Sequence, residues 1–80
     1  MEKKMFTVEN YKKRIATDKS IITTIIKVGL KKNMEMKRIE ELCVNLINEC
    51  ASLYPNEISD DVHEILRKHV EKVVKKKLMS

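Results

Sequence analysis

The strongest constraint on the fold is the spacing of apolar residues between positions 34 and 54. They recur at intervals of three and four: Met36, Ile39, Cys43, Leu46, Cys50 and Leu53. This spacing is the a/d pattern of heptads, which places all six side chains along one side of a helix. Leu42, Ile47 and Tyr54 widen the stripe, and a stripe this wide favours a helix in a globular bundle over a two-stranded coiled coil. We therefore predict a central helix over about 34–54, with these six residues as its packing or dimer interface.

A second helix is predicted over about 60–78. Its apolar stripe consists of Val62, Ile65, Leu66, His69, Val70 and Val73. Ser59 is a suitable N-cap, and Asp60 and Asp61 place negative charge in the first turn, where the helix dipole favours it. Lysines 75–77 place positive charge in the last turn, which completes the signature of a helix.

The N-terminal third is compatible with two interpretations. Ile22, Ile26 and their neighbours have helical spacing, but seven of the eight residues in 21–28 are β-branched, which favours a strand. Such a strand would be apolar on both faces, and a chain this short cannot easily cover both. We therefore predict helix, either one bent helix over 8–28 or two helices separated near Asp18. Gly29 and Pro55 are predicted to mark the boundaries between elements.

Eighty residues are enough for one domain with a thin core. We expect a single small helical domain over 1–80, all-α, built as a bundle of three to four helices. No apolar run reaches the roughly 18 to 20 residues that span a bilayer, and no signal-peptide pattern is visible. We expect a soluble cytoplasmic protein without a membrane partner. The AT-rich codon usage implied by many Lys and Ile residues suits a gene from a phage or another mobile element.

Charge is distributed in three blocks along the chain. Residues 1–38 hold eleven Lys or Arg and four acidic residues, residues 39–66 hold seven acidic residues and no Lys or Arg, and residues 67–80 hold six Lys or Arg and one acidic residue. Either the opposite charges pair within or between copies, or the two basic ends converge into one patch. The candidate basic patch comprises Lys12, Lys13, Lys19, Lys27, Lys72, Lys75 and Lys76. Because lysine greatly outnumbers arginine, nucleic-acid binding is expected to be weak and non-specific.

The two cysteines lie on one side of the predicted central helix. Cys43 and Cys50 are seven residues apart, about 10.5 Å along the helix axis, which is too far for a disulfide between them. We expect both to pack as small hydrophobic residues, or one of them to meet its own copy across a two-fold axis. Their spacing to the two histidines matches no zinc pattern, so no metal site is predicted.

No catalytic constellation is visible, and we expect no enzyme, no cofactor and no small-molecule substrate. His69 lies in an apolar stripe and is expected to be packed and hydrogen-bonded, whereas His63 is expected in solvent beside Asp60, Glu64 and Arg67. The carboxylates near position 60 suit a helix N-terminus. One glycine cannot build a phosphate-binding loop.

These observations favour a non-catalytic adaptor, regulator or inhibitor that binds a protein partner through a helical face. We also expect a homodimer, because the stripe on the central helix is wider than two short neighbours can cover. A small dimeric DNA-binding transcriptional regulator is the first alternative, and its ribbon-helix-helix form would need a strand at 21–28. A helical immunity or antitoxin protein is the second alternative.

Overall fold

The computed structural model describes residues 7–79, which form three α-helices. A single 3-10 turn, Val8–Tyr11, leads into α1 (Lys12–Lys31), followed by α2 (Met36–Ser52) and α3 (Asn56–Met79). Short turns make α2 antiparallel to both other helices, so α1 and α3 run in the same direction. The prediction of an all-α fold is confirmed, and the described residues contain three helices and no strand.

The prediction of helix over 21–28 is confirmed, so the alternative of a strand there is wrong. Helix α1 runs through Asp18 without a break, which also excludes the alternative of two helices separated near Asp18. Ile15, Ile22 and Ile26 are all buried, and their spacing brings them to one side of a single helix. Burial on that side outweighs the strand preference of the β-branched residues. Threonine hydroxyls also fit the helix: Thr23 and Thr24 each donate to the carbonyl four residues earlier.

The predicted boundary near Gly29 is confirmed, because α1 ends at Lys31, but the residue that makes the turn is Asn33 and not the glycine. Asn33 has φ of 60°, a left-handed conformation that asparagine tolerates better than most residues. Gly29 is buried inside α1, where a Cβ would lie 2.8 Å from Cγ1 and 2.9 Å from Cδ1 of Ile39. The glycine therefore permits the close approach of α1 and α2.

The third helix begins at Asn56, about four residues earlier than predicted. The backbone amides of Ile58 and Ser59 both donate to the carbonyl of Pro55 at 3.0 Å. Ser59 thus lies inside the first turn, and its prediction as the N-cap is wrong. The earlier start brings Ile58 into the core.

The core lies along the axis between the three helices. It contains the following buried side chains: Ile15, Ile22, Ile26, Ile39, Cys43, Ile47, Ala51, Tyr54, Ile58, Val62 and Leu66. On α2 the buried line steps by four residues, from Ile39 through Cys43 to Ile47. Leu46 is only half-buried and Leu53 is exposed, so the deepest side of α2 is turned slightly away from the predicted seam.

Candidate protein-interaction surface

The two flanks of α2 face different neighbours. Oδ1 of Asn48 accepts a hydrogen bond from Nε2 of His63 in α3 at 2.9 Å, so the flank that carries Asn48 faces α3. On the other flank, the Cys50 thiol lies close enough to the Asp18 carboxylate of α1 for its negative charge to raise the pKa of the thiol. Because successive residues turn by about 100°, Leu42, Leu46 and Leu53 lie on this second flank, outward from the buried line.

Six aliphatic residues line the outer side of the contact between α1 and α2. We call this surface the apolar α1–α2 edge; it comprises Ile21, Ile25, Val28, Leu42, Leu46 and Leu53. Leu53 is 67% exposed, and Ile21, Val28 and Leu42 are exposed to between 37% and 44%. Among the described residues, the only other exposed large hydrophobic side chain is Val44. Exposed aliphatic residues are therefore concentrated on one side of the bundle.

The antiparallel pairing of α1 and α2 explains why these residues meet. Gly29 contacts Ile39, and counting along the two helices from that contact puts Ile25 level with Cys43. The same count puts Ile21 level with Ile47, which agrees with the pairing of Asp18 and Cys50 farther along. Leu42 and Leu46 directly precede Cys43 and Ile47 in the chain. Ile21 and Ile25 of α1 therefore lie beside these two leucines.

The six residues predicted as an interface all lie on α2 and overlap this edge at Leu46 and Leu53. Of the six predicted interface residues, Ile39 and Cys43 are buried, Met36, Leu46 and Cys50 are half-buried, and Leu53 is exposed. The α1 half was missed because residues 21–28 were compatible with a strand. The pattern that indicates the α1 half is the spacing of Ile21, Ile25 and Val28 by four and three residues, next to the core positions Ile22 and Ile26.

A groove of about 450 Å³ lies on the other flank of α2, between α2 and α3. Its lining combines aliphatic residues with charges of both signs: Glu40, Cys43, Val44, Ile47, Arg67, Val70, Glu71, Val74 and Lys75. His63 lies at one end of this flank beside Asp60, Glu64 and Arg67, as expected, but it is half-buried and hydrogen-bonded to Asn48 instead of lying in solvent.

An aromatic clamp ties the start of α1 to the turn before α3. The Tyr54 hydroxyl donates to Oδ2 of Asp18 at 2.6 Å, and the Tyr11 ring packs edge-on against the Tyr54 ring with centroids 5.6 Å apart. The Arg14 guanidinium lies 4.7 Å from the centre of the same ring. Burial, together with the bond to Asp18, raises the pKa of Tyr54, so its phenol stays protonated and serves packing.

Both cysteines are free thiols. Burial raises the pKa of Cys43, with a contribution from Glu40, and burial followed by Asp18 raises that of Cys50. A thiol acts as nucleophile or metal ligand when it is deprotonated, so neither is activated at neutral pH. Within residues 7–79, no three His, Cys, Asp or Glu side chains are grouped closely enough to hold a metal ion.

His69 of α3 packs against α1, as predicted, and its Nε2 lies 2.8 Å from Oγ1 of Thr23. Burial lowers the pKa of His69, and the nearby charges of Lys19 and Lys72 lower it further. A backbone contact with Lys19 acts in the opposite direction. The histidine is therefore mainly neutral near pH 7.

The predicted basic residues do not all converge. Because α1 and α3 run in the same direction with Thr23 level with His69, Lys12 and Lys76 are about 27 Å apart along the bundle. Lys12 and Lys13 are exposed at one end of the bundle, and Lys75 points into the α2–α3 groove. Lys19 and Lys72 lie near His69. Near the other end, a shallow depression is lined by Thr24, Lys27, Val28, Leu30, Lys31 and Lys77.

No helix in the described part of the chain combines the length and the apolar character needed to cross a membrane. The chain matches no protein-family model, and it shows no significant similarity to any curated protein or solved structure.

Proposed function

We propose that this chain is a non-catalytic protein-interaction protein that binds a protein partner through the apolar α1–α2 edge. The observation that carries the proposal is the concentration of four exposed large aliphatic side chains on that edge. Contiguous exposed apolar surface on a small protein is typical of a binding site for another protein. Burial of each such side chain on binding would contribute favourable free energy in proportion to the apolar area removed from water.

The shape of the edge suits a helical partner. Two antiparallel helices present aliphatic residues at intervals of three and four along their shared side, and a third helix can pack its own apolar stripe along them. The protonated thiols and the packed, neutral His69 provide no activated group for chemistry. Binding through this edge would allow the chain to act as an adaptor, a regulator or an inhibitor.

Site-specific photo-crosslinking tests the proposal. A photoreactive amino acid that replaces Leu42 should form adducts of defined mass in cells that express the gene. The control chain carries the same photoreactive amino acid in place of Lys68, on the exposed side of α3. We expect adducts from position 42 that disappear when Leu53→Asp is added to the same chain. Equal adduct patterns from both positions would contradict a role for the edge.

Weak binding of nucleic acid is a second candidate function, favoured by the depression that contains Lys27, Lys31 and Lys77. Lysines contact phosphates without reading bases, so affinity should fall steeply as salt rises and should not depend on sequence. Competition between random duplex and the gene's own upstream region measures this. Equal competition supports non-specific binding, whereas a preference of about a thousandfold for the upstream region favours a transcriptional regulator.

A further inference from the structure

The exposed flank of α2 carries an ordered pattern of charged and apolar residues. Arg38, Leu42, Leu46, Glu49 and Leu53 fall within an arc of about 80° around the helix. Along the helix the order is a cation, two leucines, an anion and a third leucine. Arg38 and Glu49 are both exposed, so this arc presents opposite charges on either side of the two central leucines.

This pattern is complementary to itself when it is reversed. If a second α2 is laid antiparallel on the first, about a point midway between Arg38 and Glu49, each arginine comes level with the opposite glutamate. Leu42 then lies within one residue of the level of Leu46 from the other copy. A two-fold axis repeats every contact, so one arrangement forms two charge pairs around an apolar centre.

We propose that the occupant of the apolar α1–α2 edge is a second copy of this chain, with its α2 antiparallel to the first. The inference rests on the interaction function proposed above and names the partner. Arg38 of each copy pairs with Glu49 of the partner subunit, and Leu42 packs against Leu46 of the partner subunit. Ile21 and Ile25, which flank these leucines, extend the buried apolar surface onto α1.

The opposite orientation is disfavoured by the same charges. A parallel, in-register pairing would place Arg38 against its own copy and Glu49 against its own copy, so that like charges meet at both positions. In the isolated chain, Arg38 Nη1 lies 3.7 Å from Oε1 of Glu41, and both side chains are more than half exposed. Exposed pairs of this kind contribute little to stability, so Arg38 can exchange Glu41 for the partner's glutamate.

Charge reversal provides the test, because the two single variants should be defective alone and complementary together. Arg38→Glu places two glutamates opposite each other at both ends of the dimer, and Glu49→Arg places two arginines there. We expect each variant alone to dimerise at least about tenfold more weakly than the unmodified chain. An equimolar mixture should form the heterodimer, in which both pairs are attractive again.

Native mass spectrometry distinguishes the three dimers by mass, and sedimentation gives their dissociation constants. Glu41→Gln is the matched control, because it removes the contact of Arg38 within its own helix and should leave dimerisation unchanged. Leu42→Asp should abolish the dimer. Circular dichroism checks that every variant remains helical.

Two results would overturn the inference. A chain that remains monomeric up to about 100 µM has no second copy on this edge; the photo-crosslinking experiment would then still report whether a different protein occupies it. A dimer that is unaffected by Leu42→Asp, or charge variants that show no preference for each other, would place the second copy elsewhere or in another orientation.

Discussion

Both sides of α2 carry large apolar residues, but these residues have different surroundings in the structure. Ile39, Cys43 and Ile47 on the inner side are fully enclosed by α1 and α3, whereas Leu42 and Leu53 on the outer side are exposed to solvent. Two neighbouring helices cover only part of a wide apolar stripe. The comparison shows that the width of such a stripe can exceed what the chain itself buries, and that the excess marks a candidate interface.

The largest expected difference between the two sides is in stability. Ile47→Ala removes a side chain that is 1% exposed, and we expect the free energy of unfolding to fall by about 2 to 5 kcal/mol. Leu53→Ala should change it by no more than about 0.5 kcal/mol, and Leu46→Ala should fall between them. Urea unfolding at high dilution measures the three variants without a contribution from association. Equal losses at positions 47 and 53 would contradict the assignment of inner and outer sides.

A smaller loss is expected where the inner side of α2 meets α1. Gly29→Ala would bring a Cβ to 2.8 Å from Cγ1 of the fully buried Ile39. Alanine favours helix by about 0.5 to 1 kcal/mol over glycine, but forcing an atom into a packed core costs about 1 to 3 kcal/mol. We expect a net loss of about 1 kcal/mol.

Thr24→Ala, on the exposed side of the same helix, is the control for helix propensity and should cause no such loss. Thermal or urea unfolding of both variants gives the comparison. A more stable Gly29→Ala chain would show that α1 and α2 are not held at this close separation.

Acidification should weaken the contact between α1 and α3. Because the pKa of His69 is lowered in the folded chain, the unfolded chain binds a proton at this residue that the folded chain does not, below about pH 6.5. The free energy of unfolding should therefore fall as the pH decreases through this value. His69→Gln should lose part of this dependence, and His63→Gln should retain it. An unchanged pH profile for His69→Gln would contradict the packing of this histidine.

The smallest expected difference is in the reactivity of the two cysteines, which is measured without changing the fold. Because burial raises the pKa of both thiols, the folded chain should react with iodoacetamide much more slowly at neutral pH than the chain in urea. Cys50, which is half-buried, should react before the fully buried Cys43. Mass spectrometry of timed samples identifies the modified residue. Rapid modification of Cys43 would place it outside the inner side of α2.

Spacing within one element was sufficient to predict much of the fold. The intervals of three and four residues correctly indicated α2 and α3, because helix geometry alone determines which residues share a side. The same reasoning did not determine which part of the α2 stripe is deepest. That depends on where α1 and α3 lie, so Leu46 was expected at the centre of the seam and Ile47 occupies it.

Local preference and tertiary packing disagreed in two places. The β-branched residues at 21–28 favour a strand locally, and only the burial of Ile22 and Ile26 against the other helices decides for helix. Glycine locally favours a turn, but Gly29 lies inside α1, where its missing side chain leaves room for Ile39 of α2. The bond between Thr23 and His69 joins residues 46 positions apart, and no local pattern predicts such a partner.

The central claim, that the apolar α1–α2 edge binds a second copy of this chain, is tested most directly by an NMR dilution series of the unmodified chain. Amide and methyl resonances assigned along all three helices report which surfaces change environment as the concentration falls. We expect concentration-dependent shifts at Ile21, Leu42, Leu46 and Leu53 and little change at Val44 and Val74 in the α2–α3 groove. Shifts confined to the groove, or none on the edge at any concentration, would contradict a second copy bound at this edge.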